Sequence, residues 1–170
     1  MDWVFPAWML YVEYTSQGYT KTSQLTEEGR RQLFHFRDTL NQLLRETKRQ
    51  AKEKLTAPYK AIVEGTYRSE GNKLYAPDGT WMYVREGFTS HITIRGVSAS
   101  ARFPDLLKLP RERLELLQSG WRASDEGKIY SWPFIGTTQP WQVFAWTAAR
   151  YGKLYIRVDS ANLTRDGASV

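Results

Sequence analysis

The sequence predicts an α+β domain, an antiparallel sheet with one long and one short helix packed mainly on one face. Three observations predict it. Apolar residues recur at spacings of three and four through 26–55, the pattern then switches to strand-like alternation between turn signals, and a second, shorter helical phrase follows at Leu109-Pro110. With 170 residues, 41% of them apolar and 25% charged, the chain is large enough for a real core and too ordinary in composition for disorder or coiled coil. A single domain is expected over 1–160, with a loose tail at 161–170.

In chain order, the aromatic and aliphatic run Trp8 to Thr15 reads as a strand closed by Gly18. Leu25-Thr26-Glu27-Glu28 supplies an apolar lead, a Thr cap and two acids for the positive end of a helix. Leu33, Phe36, Leu40, Leu43, Leu44, Thr47, Ala51 and Leu55 then mark one face, and Pro58 is expected to end the helix. Turn chemistry at Ser69-Glu70-Gly71-Asn72 and Pro77-Asp78-Gly79 divides strands at 59–68, 72–76, 80–86 and 91–98. Pro110 opens the second helix, which Gly120 terminates. Asp125-Glu126-Gly127 reads as a loop, 128–132 as a short strand and 133–140 as a loop. The stretch 141–151 suits helix and strand alike, and Leu154, Ile156 and Val158 alternate as a last strand.

Composition narrows the function. The chain has no cysteine and two histidines, which excludes thiolate zinc sites, disulfides and cysteine nucleophiles and leaves no metal site or cofactor to expect. His35 between Phe34 and Phe36 reads as structural. His91, with Glu64 or Glu86 as orienting carboxylate, is the one general-base arrangement on offer, and no nucleotide-loop, hydrolase-elbow or zinc-protease motif occurs. A non-enzymatic protein is expected. No apolar run is long enough to span a membrane and the first residues lack signal-peptide character, so a cytoplasmic location and no membrane partner are expected.

Twenty-four basic against eighteen acidic side chains give a net charge of +6, which favours an anionic partner. Alternation separates an aliphatic sheet face (Leu74, Met82, Val84, Ile92, Ile94, Ile129, Leu154, Ile156, Val158) from one that mixes rings and cations. The second face collects Lys73, Tyr75, Trp81, Tyr83, Arg85, His91, Thr93, Arg95, Lys128, Tyr130, Trp132, Lys153, Tyr155 and Arg157. Rings offer stacking surfaces to bases and cations neutralise phosphates, so this face is the candidate nucleic-acid surface. Arg45, Lys48, Arg49 and Lys52 on the polar side of the long helix are a second phosphate contact. The same rings would equally serve as the core of a protein-partner or homodimer interface.

One segment carries a resemblance. Val97-Ser98-Ala99, Phe103-Pro104, Leu107-Lys108-Leu109, Glu112-Arg113-Leu114, Leu117, Gly120-Trp121-Arg122 and Asp125-Glu126-Gly127 resemble a phrase of secretion-chaperone-like α+β domains of actinobacteria, within residues 58–132. The resemblance implies a partner-binding domain, dimeric and without catalytic residues, whose Leu-rich helix closes on Gly-Trp.

Overall fold

The computed structural model describes residues 4–85, 89–164 and 167–169. They form α1 (Val4–Thr22), α2 (Glu27–Glu64), β1 (Arg68–Glu70), β2 (Lys73–Tyr75), β3 (Trp81–Arg85), β4 (Thr89–Phe103), α3 (Arg111–Ala123), β5 (Glu126–Ile129), β6 (Trp132–Ile135), α4 (Pro140–Ala149), β7 (Gly152–Thr164) and β8 (Gly167–Ser169). The fold is α+β. One sheet has the order β1-β2-β3-β4-β7-β8 and β5-β6 is a separate hairpin. Among the described residues no helix is long and apolar enough to cross a membrane. The chain divides into two compact units, one of Met1–Met9, Asn41–Ala99 and Ile156–Val170, the other of Leu10–Leu40 and Ser100–Tyr155.

Two helices lie where a strand or no decision was expected. Trp8–Thr15 belongs to α1 because its buried positions, Phe5, Val12 and Ser16, fall at helical intervals while Leu10 and Tyr14 stay exposed. Residues 141–149 form α4, opened by Pro140 in its first turn and burying Phe144, Trp146, Thr147, Ala148 and Ala149. Both helices owe their place to one aromatic cluster of the second unit. Phe36, Phe103 and Phe144 meet edge to face, with centroids 4.8 to 6.2 Å apart, and Tyr11 and Tyr19 of α1 each reach Phe144 at 6.1 Å. Burial, and then the Tyr11 charge, pushes the Tyr19 phenol above its ordinary pKa.

Helix α2 starts as its sequence requires, the Gly29 N–H donating to Thr26 Oγ1 at 3.1 Å. It does not stop at Pro58. The buried stripe Thr47, Ala51, Leu55, Pro58, Ala61 keeps its spacing through the proline, so packing offsets the lost hydrogen bond. The end lies at Gly65, φ +68°, where the Thr66 N–H donates to the Ala61 carbonyl at 2.9 Å and the Gly65 N–H to the Ile62 carbonyl at 3.2 Å. The strand expected over 59–68 is therefore helix as far as Glu64, and β1 shares only Arg68 with it, starting instead in the residues expected to turn.

The hairpins of the first unit follow the turn signals. Glu70 pairs with Lys73 across Gly71-Asn72, and Tyr75 pairs with Trp81 across the Pro77-Asp78-Gly79 loop, where the Thr80 N–H donates to Asp78 Oδ1 at 2.9 Å. Strand β4 runs five residues past its expected end. Its buried positions change from Ser90, Ile92 and Ile94 to Val97, Ala101 and Phe103, and the one-residue slip falls at Gly96, φ +74°. The β3–β4 register ends at Tyr83↔His91. Beyond it α2 serves the strand: Gln50 Nε2 donates to the Arg95 carbonyl at 3.1 Å, Gln50 Oε1 accepts from the Arg95 N–H at 3.4 Å, and Lys54 Nζ donates to the Thr93 carbonyl.

In the second unit α3 runs through Gly120 and Trp121 to Ala123, so Gly120 does not terminate it, and Pro110 precedes rather than opens the helix. No residue of α3 is buried, and it packs chiefly against α4 and β5. The strand expected at 128–132 is instead a hairpin bent at Tyr130-Ser131, with Ile129 opposite Trp132 and Gly127 opposite Phe134. Glu126 and Gly127, expected in a loop, begin β5. Where a loose tail was expected at 161–170, β7 continues to Thr164 and pairs with β8, Thr164 opposite Gly167.

Candidate nucleic-acid interface

Register and alternation bring part of the expected face together in the first unit. Tyr75 stands opposite Trp81, Lys73 opposite Tyr83, and Tyr83 opposite His91, while Leu74, Met82, Ile92 and Ile94 point the other way and are buried. The Lys73 ammonium lies 4.8 Å from the Trp81 ring centroid and 5.7 Å from that of Tyr83. Trp81 meets Tyr83 edge to face at 4.9 Å, and Tyr83 lies 5.9 Å from the His91 ring. Arg68, which the sequence reading missed, adds a guanidinium 4.5 Å over Tyr75. Its signal was the turn Gly71-Asn72, since the hairpin register sets Arg68 opposite Tyr75. Arg85 and Arg95 continue the face at its edges, both exposed. Burial, with the Arg95 charge beside it, holds the Lys54 ammonium below its ordinary pKa.

Rings and cations here are already in contact. Each cation–π pair orders a long side chain over a ring at small net gain, and Lys73 is half-buried there. A shallow hollow lined by Glu70, Gly71, Asn72, Lys73, Tyr75 and Tyr83 lies beside the cluster.

The remaining residues are placed elsewhere. Lys128, Tyr130 and Trp132 are on the β5–β6 hairpin and not in the main sheet, because the turn at Tyr130-Ser131 interrupts the alternation that linked them. Ile129, assigned to the aliphatic face, is 51% exposed for the same reason. On β7, Lys153, Tyr155 and Arg157 are exposed and Leu154, Ile156 and Val158 half-buried, as alternation requires, and Arg157 pairs with Asp159 at 2.6 Å. On α2, Arg45, Arg49 and Lys52 are exposed and Lys48 half-buried. Arg49 is held between Glu46 at 2.5 Å and Glu53 at 2.6 Å, which spends its charge internally. Hydrogen bonds from Arg49 and then Gln50 bring the Glu46 carboxyl down to about 2.

Catalytic and metal readings find little geometry. His91 Nδ1 is hydrogen-bonded to Asn162 Oδ1 at 2.5 Å, a carboxamide in the place an orienting carboxylate would take. Glu64 pairs with Lys60 at 3.8 Å, and Glu86 lies outside the described residues. Among the described residues no three His, Asp or Glu side chains group to hold a metal ion. Comparison with protein families, with curated proteins and with solved structures finds no match to this chain.

Proposed function

We propose that this chain is a non-enzymatic binding protein that takes single-stranded nucleic acid across the β2-β3-β4 face. The observation that carries the reading is the Lys73 ammonium beside both the Trp81 and Tyr83 rings, 4.8 and 5.7 Å from their centroids. Bases need flat π-faces and phosphates need cations, and here both stand on adjacent strands at the spacing of one strand pair. Arg85 and Arg95 extend the positive strip, and the excess of 24 basic over 18 acidic side chains draws the same class of ligand. The test is fluorescence anisotropy with labelled oligonucleotides over a salt series. Contacts from Lys73, Arg85 and Arg95 to about three phosphates give a log-log slope near about −2 for a single strand. Absence of binding at low salt, or affinity indifferent to salt, overturns the reading.

A second reading, a protein-partner interface, draws on the β5–β6 hairpin. Tyr130 is 96% exposed at φ +56° in a turn that glycine or asparagine would occupy without strain, and Trp132 and Leu116 are 75% and 73% exposed in the same unit. Large rings held in water at a conformational cost favour a site that a partner covers. The partner-binding role implied by the resemblance to secretion-chaperone-like domains is in line with it. Light scattering after size exclusion at high salt separates the readings: a dimer that persists in salt and dissociates on Trp132→Ala supports the protein interface, whereas a monomer unchanged by that substitution removes the homodimer.

A further inference from the structure

We infer that the second unit carries a binding site for a compact phosphate anion, in the cleft of about 470 Å³ lined by Arg31, His35, Ser100, Arg102 and Lys153 together with Glu28, Gln32 and Ala101. It does not rest on the reading of the β2-β3-β4 face, because none of its residues belongs to those ring–cation contacts; Lys153, which alternation assigned to the mixed face, stands on β7.

Three elements supply the donors. Arg31 and His35 stand one turn apart on α2, Ser100 and Arg102 project from the exposed side of β4, and Lys153 projects from the exposed side of β7. Three permanent cations therefore face one carboxylate. That carboxylate is already engaged: Glu28 accepts from Arg31 Nη2 at 2.6 Å and from Gln32 Nε2 at 3.0 Å. The Gln32 hydrogen bond first, and then the Arg31 charge, hold its carboxyl below the ordinary range, and Arg102 contributes to the same field. Arg102 and Lys153 make no ion pair with any described residue. Two cations outside any ion pair, lining one concave surface with Arg31 against the single Glu28 carboxylate, leave a net positive field that an anion would neutralise.

The shape of the donor set selects the ligand. A planar carboxylate is satisfied by one guanidinium fork, as Glu126 shows with Arg150. Donors arriving from a helix and two strands, with a hydroxyl among them, suit a tetrahedral group that accepts in several directions and carries more than one charge. The lining has no ring besides His35, so it offers no stacking surface to a base, and a small polyphosphate fits it better than a nucleic-acid strand.

Isothermal titration calorimetry of the full chain with sodium pyrophosphate at low salt tests the assignment. The wild-type chain is expected to bind, and the double variant Arg102→Ala/Lys153→Ala to bind about tenfold more weakly or worse, the loss that follows when two charge-assisted contacts go. Lys73→Ala, in the first unit, is expected to leave pyrophosphate binding unchanged. Both altered residues are exposed, and an unchanged thermal melt confirms that the double variant is folded. No binding by the wild type, equal binding by the double variant, or citrate binding as tight as pyrophosphate overturns the proposal. A labelled oligonucleotide displaced by pyrophosphate from the wild type, but not from the double variant, would mean that the cleft takes backbone phosphate rather than a small polyphosphate, and would overturn it likewise.

Discussion

Arg150 grips Glu126 with both arms of its guanidinium, Nη2 to Oε1 at 2.7 Å and Nε to Oε2 at 2.8 Å, in a pair whose side chains are 15% and 2% exposed. The Trp146 indole donates to the same Oε2 at 2.9 Å. A carboxylate this deeply buried is tolerable only because every strong donor around it is directed at it. The pair ties the first residue of β5 to the end of α4, where Gln118 Nε2 of α3 also donates to the Ala149 carbonyl at 2.9 Å.

Removing one member leaves the other buried and unpaired. Arg150→Ala is expected to lower unfolding free energy by about 3 to 5 kcal/mol in urea titration. Replacing both at once, Glu126→Gln with Arg150→Met, is expected to recover part of that loss, because no buried charge is then left alone. A double variant as unstable as the sum of the two single ones would contradict the account.

Little of this lock was legible in the sequence. Asp125-Glu126-Gly127 has the composition of a loop, and nothing local marks Glu126 as the acid that a residue twenty-four positions later will claim. The long helix, the two turns and the sheet faces of β2 to β4 were legible because they depend on periodicity and turn chemistry, which are local. Helix α1 was missed for the opposite reason: its rings favour strand locally, and only contacts with Phe144 make it a helix. The overrun past Pro58 has a visible signal, the stripe Leu55, Pro58, Ala61 leading to Gly65, and burial of that stripe outweighs the local helix-breaking tendency of the proline. The sheet-face candidates survive as a cluster only where no unseen turn breaks the alternation, which is why Lys73 to His91 meet and Lys128 to Trp132 do not.

The C-terminal end of α2 depends on Gly65. A side chain there finds open space but an unfavourable backbone at φ +68°, so the effect of a substitution is conformational and not steric. Gly65→Ala is expected to lower the unfolding free energy by about 1 kcal/mol, and Gly65→Asn by less, since asparagine tolerates the left-handed region. Equal stability of all three by chemical denaturation would count against the helix terminating through this residue.

Gly127 is a different case. A Cβ built there would come within 2.6 Å of Phe134 Cε1 and 2.7 Å of Cζ, so the ring lies directly on the glycine across the hairpin. Gly127→Ala is expected to swing Phe134 outward and loosen β5–β6. The readout is the loss of nuclear Overhauser contacts between Phe134 and residue 127, and persistence of those contacts would mean that the hairpin accommodates a methyl group without moving the ring.

The α2 carboxylates give the pH dependence. Glu46 titrates at about 2 in the fold against about 4.3 in an unfolded chain, so its contribution to stability is present above the unfolded value and is lost as pH falls through the folded one. The thermal midpoint of the wild type is expected to exceed that of Glu46→Gln at neutral pH, and the gap to close as pH falls from about 4.3 towards 2. High salt should narrow the gap at neutral pH, because the Glu46–Arg49–Glu53 network is exposed. A gap that is constant with pH would assign the effect to helix propensity instead.

Adjacent positions on β3 provide the sharpest test of the binding face. Trp81 is 36% exposed with its ring against Lys73, and Met82 is 1% exposed on the opposite side of the strand. If bases stack on the exposed side, Trp81→Ala is expected to weaken single-strand binding by about 1 to 3 kcal/mol while leaving the salt slope unchanged, since stacking releases no counterion. Lys73→Ala is expected instead to shallow the slope by roughly 0.7, one phosphate's worth for a single strand. Met82→Ala removes buried volume and is expected to cost about 2 to 5 kcal/mol of folding stability, with the affinity of the remaining folded protein intact. The decisive comparison is between neighbours: if Trp81→Ala destabilises the fold as severely as Met82→Ala and leaves binding unchanged, the rings of this face serve packing alone, and the nucleic-acid reading falls with them.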